Sequence, residues 1–218
     1  MDTRRLRIAI VEDEDLFREL LQMALERHER FTVVGSFANA SDALEQIPEL
    51  APDVVVLDID LGEGISGVEL GMALQSRIAR IGVVLLSNHQ DLEFIAALGE
   101  GVRRWSYLLK KSVRNLSVLV RALEGTSDGM VVLDPQLVAG TTPTKGVLST
   151  LTIRQLDVLR LIAQGYSNTA IGETLGIAPK TVDNQTNVIY QALDVLPDGS
   201  SHARVKAVLA YLEAVRSG

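Results

Sequence analysis

The 218-residue chain contains no cysteine, which removes disulfides, thiolate metal sites and cysteine nucleophiles from consideration. Its three histidines, His28, His89 and His202, are too scattered for zinc-ligand spacing, so any bound metal is expected to sit on oxygen. No apolar run is long enough to cross a bilayer. The opening MDTRRLRIAIVEDED also lacks the long apolar segment and small-residue cleavage site of an export signal, so a cytoplasmic location is expected. Positive charge is scarce as well: the net charge is -7. Residues 1–146 hold 15 Lys and Arg against 22 Asp and Glu, and residues 147–218 hold 6 against 6, so the first part carries the whole imbalance. Such a chain is not an obvious nucleic-acid binder, because phosphate contact generally needs a basic surface.

What is present is a globular composition, 47% hydrophobic and 22% charged, at a length suited to one large domain or two of ordinary size. From Arg7 onward short apolar runs alternate with amphipathic segments: RIAIV, LFRELLQMALERHE, FTVVGSF, SDALEQIPEL, DVVVLD, GVELGMALQSRI, IGVVLLS, DLEFIAALGEG, SYLLKK and LSVLVRALEG. Five strand-like runs interleaved with five helix-like ones predict a parallel sheet covered on both faces. Ser41 is placed to cap the second helix, and Pro52 precedes the third strand. This first domain is expected to span residues 1–125. Residues 126–146, TSDGMVVLDPQLVAGTTPTKG, read as a linker rich in Gly, Pro, Thr and Ser. From Val147 to Gly218 the periodicity is helical only.

The stretch VVVLDIDLGEG drives a buried strand straight into Asp58 and Asp60. An Asp at a strand end often does no more than cap the next turn. In an open parallel sheet, however, ligands bind beyond the carboxyl ends of the strands, where the strand order reverses. The first strand ends at Glu12 and Asp13, the third at Asp58, the fourth at Ser87, and Lys110 follows the fifth. Three carboxylates brought together unpaired would raise one another's pKa. A hard divalent cation such as Mg2+ resolves that conflict and bridges readily to phosphate oxygens, which points to phosphoryl chemistry. Lys110 would supply positive charge to a phosphoryl group and Ser87 a hydrogen bond.

With those residues in place, residues 7–124 resemble the response-regulator receiver domain: the acidic pair in VEDED, Asp58 in VVLDIDL, Ser87 in VVLLSNH and Lys110 in YLLKK stand in that family's order. The resemblance implies a five-stranded, flavodoxin-like (βα)5 fold with Asp58 as phosphoacceptor. It further implies Mg2+ held by Glu12, Asp13, Asp58 and the main-chain carbonyl of Asp60, Ser87 and Tyr107 as the switch pair, and Lys110 as the lysine of the site. Tyr107 is also readable as ordinary core, and Trp105 as packing or interface. Two departures flank the pocket: Gly62 stands where such receivers usually have proline, in a loop one residue longer before Gly67, and GEGVRRWSYLLK is about two residues longer than the common form.

The segment LTIRQLDVLRLIAQGYSNTAIGETLGIAPKTVDNQTNVIYQALDV carries apolar residues at helical spacing in three blocks, broken at Gly165 and around GIAP. Periodicity alone fits a plain helical bundle. The words LT, VLRLIAQGYSN, AIGETLGIAPKTV and NVIYQAL resemble the DNA-binding domain of LuxR-type transcription factors, and the helix after HARVKAVLAYLEA fits that family's fourth helix. The implied second domain, residues 147–218, is an all-α four-helix helix-turn-helix unit. Its scaffold helix would be TAIGETLG and its recognition helix PKTVDNQTNVIYQAL, the latter anchored by Val182, Val188, Ile189 and Leu193. Lys180 and Thr181 would meet phosphates at the helix N-terminus, and Asn184, Gln185 and Asn187 would face bases or backbone.

Together the two resemblances imply a phosphorylation-dependent transcription factor rather than an enzyme: a sensor histidine kinase as one partner, promoter DNA as another, and a homodimer formed on phosphorylation. Two alternatives stay open at this level. One is a haloacid-dehalogenase-like phosphotransferase, for which Asp58 and Asp60 in VLDID give the required Asp-x-Asp. The other is a receiver-linked interaction module that has lost DNA binding.

Overall fold

The computed structural model describes residues 4–90, 104–139, 147–195 and 202–216. In the first half, strands β1 (Leu6–Val11), β2 (Phe31–Phe37), β3 (Val54–Asp58), β4 (Gly82–Ser87) and β5 (Trp105–Leu109) interleave with helices α1 (Asp15–Glu26), α2 (Ala40–Leu50) and α3 (Gly67–Arg77). Helix α4 (Leu116–Ser127) follows a one-turn 3-10 segment at Ser112–Arg114. The expected helix over DLEFIAALGEG lies outside the described residues. All strand pairings are parallel, and the sheet order is β2-β1-β3-β4-β5, with a sixth strand, β6 (Val132–Leu133), beside β5. Strands β3, β4 and β5 are buried along their whole length, which is why they read as near-continuous apolar runs, interrupted inside only at Ser106, rather than alternating ones. The order reverses between β1 and β3, and this puts a crevice at their carboxyl ends.

The sixth strand, β6 (Val132–Leu133), comes from the stretch whose composition reads as linker, and the short helix α5 (Pro135–Ala139) follows it. Two buried apolar residues suffice there because Asp134, itself fully buried, accepts hydrogen bonds from the Leu109 N–H at 2.9 Å and the Gln136 N–H at 2.8 Å. A side chain thus continues the ladder where the strand stops. The cap of α2 also differs from expectation: Asn39, two residues before Ser41, accepts from the Asp42 N–H at 2.9 Å, and Ser41 lies inside the helix. Trp105 packs its ring against α3 at Gly71, where an added Cβ would come within 2.7 Å of the indole, and donates from Nε1 to Gln75 Oε1 at 2.7 Å.

The second half consists of α6 (Ile153–Ala163), α7 (Asn168–Leu175), α8 (Pro179–Ala192) and α9 (His202–Arg216). Thr152 and Gln155 form a capping box at the start of α6. Gly176, at φ 65, closes α7 in the left-handed conformation and turns the chain into α8, whose Pro179 sits in the first turn. The buried stripe of α8 and its C-cap is Val182, Thr186, Ile189 and Leu193. Val188, expected as an anchor, is instead 44% exposed: the helical period turns it away from the stripe through Val182, Thr186 and Ile189, and Thr186 takes the core position. The two halves touch through β6, α4 and α5. Val132 abuts Gly165, Arg121 lies over the Tyr166 ring at 4.3 Å, and the Tyr211 hydroxyl donates to the Val138 carbonyl at 2.9 Å. No helix among the described residues is long and apolar enough to cross a membrane.

Candidate functional site: an acidic pocket and a recognition helix

Strand β1 delivers Glu12 and Asp13 just past its carboxyl end, and β3 delivers Asp58 from the adjacent position in the sheet. Carboxylate oxygens of all three lie within 4.8 Å of one another. Glu12 and Asp58 are buried, whereas Asp13 opens to solvent. Lys110, brought in by the end of β5 and held there by its own N–H bond to the Ser87 carbonyl, donates from Nζ to Glu12 Oε1 at 2.8 Å and Asp58 Oδ2 at 2.9 Å. Its ammonium also sits 5.0 Å from the centre of the Phe17 ring. The other Asp58 oxygen accepts from the Asp60 N–H at 3.3 Å.

Burial pushes the Glu12 carboxyl up to about 7, with the neighbouring Asp58 charge adding to the rise and Lys110 opposing it. Asp58 is likewise raised by burial against the pull of Lys110. For Lys110 burial works against the charged form, but hydrogen bonds to Glu12 and Asp58 outweigh it and the ammonium is held above its ordinary range. The pocket therefore holds more negative charge than one lysine balances. Glu12 Oε2 is buried without a hydrogen-bond partner, an orphaned acceptor beside two further carboxylates. An all-oxygen donor set with an unsatisfied anionic atom fits a hard divalent cation.

Two hydroxyls converge on one residue at the rim. Ser87 Oγ accepts from the His89 N–H at 3.0 Å, and the Tyr107 hydroxyl donates to the His89 carbonyl at 2.6 Å. Tyr107 is almost fully buried, so it is core and rim at once. The β3–α3 loop turns on Gly62 at φ +71 and Gly64 at φ +113. Proline, fixed near φ -65, could not take the Gly62 conformation. Gly67 comes so close to Asp58 that an added Cβ would lie 1.8 Å from the Asp58 carbonyl oxygen.

On α8, Lys180, Thr181, Asn184, Asn187 and Val188 are exposed and follow one another at three- and four-residue spacing, forming a single stripe opposite the buried one. Gln185 stands half-buried at its edge. Asp183 leaves this stripe: it accepts from Asn168 Nδ2 at 2.7 Å, and Asn168 accepts in turn from Arg204 at 3.2 Å. Neither the pairing of Asp183 with Asn168 nor the commitment of Arg204 was legible in the sequence, because the partners lie on three different helices.

A doubly covered parallel sheet with this acid and lysine pocket, joined to a helix-turn-helix unit, is the architecture of a two-domain transcriptional regulator. The response regulator receiver domain family matches residues 8–137, and the luxR family of bacterial regulatory proteins matches residues 149–196. The chain is 31% identical over 208 residues to the transcriptional regulatory protein LnrK of Bacillus subtilis, covering 87% of this chain and 91% of that one. It is 27% identical over 241 residues to the transcriptional regulatory protein DegU of Brevibacillus brevis, covering 100% and 96%. A crystal structure of a LuxR-family two-component response regulator from Aurantimonas sp. superimposes with a TM-score of 0.56 at 27% identity, covering 62% of this chain and 94% of that one. The chain belongs to the response regulators that couple a receiver domain to a LuxR-type DNA-binding domain.

Proposed function

We propose that Asp58 accepts a phosphoryl group from a sensor histidine kinase and that the change it causes governs dimerisation and promoter binding. The observation that carries this reading is the Lys110 ammonium bridging Glu12 and Asp58 at the strand ends, with Asp13 beside them. Residues 1–125 act as the receiver, 126–146 as the connection and 147–218 as the DNA-binding domain. The strand β6 within that connection gives it a place in the receiver sheet. Glu12, Asp13, Asp58 and the Asp60 main-chain carbonyl would hold Mg2+, which supplies the neutralising charge that lets phosphate oxygens enter among carboxylates.

In the transfer, an Asp58 carboxylate oxygen forms the new P–O bond while the P–N bond of the kinase phosphohistidine breaks, its electron pair returning to the imidazole. Lys110 stays within reach of the added oxygens and follows the charge. Ser87 keeps its own proton to donate, and moving it toward the phosphate draws on the contact it shares with His89. Because Tyr107 holds the other side of His89, a shift of Ser87 is felt by Tyr107 directly. Downstream, Lys180 and Thr181 meet phosphates at the start of α8, while Asn184, Gln185 and Asn187 read the groove.

The test is intact-mass measurement after incubation with acetyl phosphate and magnesium. One phosphate per chain is expected, absent in Asp58→Asn and absent without magnesium. A label retained by Asp58→Asn would overturn the pocket assignment. Continuous release of inorganic phosphate from small phosphoesters would instead favour the phosphotransferase alternative.

A further inference from the structure

At the pole of the sheet opposite the acidic pocket, the amino ends of β1, β3, β4 and β5 and the C-terminal end of α4 enclose a cleft of about 320 Å3. Its charged lining is Arg4, Arg5, Arg80 and Arg104 against Asp53 and Asp128, a net of +2 from four cations and two anions, in a chain whose overall charge is -7. The arginines come from three separate stretches of sequence, so their convergence is a product of the fold. One aspartate is already committed: Asp53 accepts from Arg4 Nη2 at 3.1 Å and from the Arg7 N–H at 2.9 Å. Arg5 and Arg80 are exposed and have no ion pair to any described residue.

Arg104 adds a second, independent signal. It stands at φ 64, in the left-handed region that only glycine enters without penalty, and its guanidinium is fixed by donating to the Ser127 carbonyl at 2.7 Å. Non-glycine residues held there concentrate at ligand-binding sites, where the surrounding structure enforces them. Like charges gathered in a concavity repel unless an anion joins them. The cleft volume is at the small end of the range for ligand sites, roughly 300–1,000 Å3. Among the described residues no aromatic side chain lines it, so they offer no platform for a nucleobase, and Leu6 is their one apolar contribution, too little for an acyl chain.

We propose that this cleft binds a small, non-aromatic phosphorylated compound, with its phosphate dianion held between Arg5, Arg80 and Arg104. A dianion matches the net charge of the lining, and guanidinium forks suit phosphate oxygens bidentately. The phosphate can be carried on a polyol or on a second phosphate, and two probes separate these sources.

The test titrates the full-length protein calorimetrically with glycerol 3-phosphate and, separately, with inorganic pyrophosphate, in magnesium-free buffer at low and moderate salt. Saturable binding of at least one probe at one site per chain is expected, weakening with salt, and the tighter probe identifies the carrier. Removing a guanidinium in Arg80→Ser should weaken it by about tenfold, and adding Arg5→Ser by about as much again. Both residues are exposed, so the unliganded melting temperature of the double variant should match wild type. Arg104→Lys keeps the charge and loses the fork, and it too should weaken binding. Asp58→Asn should bind as wild type, which separates this cleft from the acidic pocket and lets either assignment fail alone. No saturable heat with either probe, undiminished binding in the double variant, or loss of binding in Asp58→Asn would overturn the proposal. So would retention of random-sequence duplex DNA that depends on Arg5 and Arg80 while both small probes stay silent.

Discussion

The acidic pocket and the recognition helix of the same chain solve opposite problems. In the pocket, each buried charged side chain is held by at least one partner: Lys110 spans Glu12 and Asp58, and Asp58 also accepts from the Asp60 N–H. On α8, the exposed stripe consists of short polar side chains, one lysine and one valine, and Asp183 has turned away toward Asn168. A switch needs its charges poised before the signal arrives, since their rearrangement is the output. A reading surface needs its groups free, since their partners are brought by the ligand. The contrast puts a preformed, buried charge network in the domain that senses and a row of exposed, mostly neutral side chains in the domain that reads.

The pocket half of this contrast breaks most severely at Gly67. Its missing Cβ lets α3 begin directly against the Asp58 main chain, and the 1.8 Å approach leaves no room for one more atom. Gly67→Ala forces the β3–α3 turn apart and should cost about 3 kcal/mol, near the upper end for overpacking, while displacing Asp58. Urea unfolding reads the stability. An equally stable variant that still takes up phosphate would show that the turn does not position the acid.

Next in size is Lys110→Ala. Removing one partner of a buried ion pair typically costs roughly 3–5 kcal/mol, but Glu12 already binds its proton far more readily than an ordinary carboxyl and can neutralise itself, so a smaller loss of about 2 kcal/mol is expected. Phosphate uptake by Asp58 should persist, because in the proposed role the lysine holds the product rather than attacks. The phosphorylated variant should fail to show the dimer shift of phosphorylated wild type by analytical ultracentrifugation. An unchanged monomer-dimer equilibrium between the two would remove Lys110 from the response.

How much of this could be read beforehand follows from the kind of signal involved. Strands β3, β4 and β5 are buried on both faces, so their apolar runs are nearly unbroken and announce themselves, and the acids that end β1 and β3 stand at the edge of such runs. The two-residue strand β6 lies in the one short apolar run, MVVL, of a stretch otherwise rich in Gly, Pro and Thr, too short a run to announce a strand. It is fixed by Asp134 bonding to a strand remote in sequence, a contact that composition cannot express. On α8 the period separates Val182 and Ile189 from the exposed face, but hydrophobicity misassigns Val188, because the core there accepts Thr186. The arginine cleft was invisible for the plainest reason: Arg5, Arg80 and Arg104 are far apart in the chain and each alone reads as a solvated charge.

The boundary between the two halves offers a milder perturbation. Gly165, at φ +80, sits with an ideal Cβ position 2.8 Å from Val132 Cγ2 of β6, beside Tyr166 under Arg121. Gly165→Ala combines an unfavourable backbone conformation with a clash against the receiver sheet. It should cost about 1–2 kcal/mol in the DNA-binding half and loosen its seat on β6. Small-angle scattering should report a larger radius of gyration for the unphosphorylated variant. Unchanged dimensions would mean that Val132 yields and the contact is not what holds the halves together.

The smallest expected effect lies in the salt dependence of DNA binding, and it tests the reading half of the contrast directly. The logarithm of affinity falls with the logarithm of salt by roughly 0.9 for each phosphate neutralised. Lys180 is the one cation on the exposed stripe of α8. Of the other basic residues that could form a footprint nearby, three are engaged, Arg154 donating to the Leu175 carbonyl, Arg160 pairing with Asp157 and Arg204 bonding to Asn168 and the Tyr166 carbonyl, while Lys206 is exposed. Binding of the phosphorylated protein to its best selected duplex should therefore show a shallow slope, and the isolated half from about residue 147 should bind feebly. Affinity would then rest on joining two such helices through the proposed receiver association, which raises their effective concentration at adjacent half-sites. Sequence preference should lean toward A·T, since Asn184, Gln185 and Asn187 offer amides suited to adenine and the helix brings no arginine for guanine. A steep salt slope, or tight binding by the isolated half, would show that Lys206 and the arginines now bonded within the domain meet phosphates, and the division of charge between sensing and reading halves would not survive.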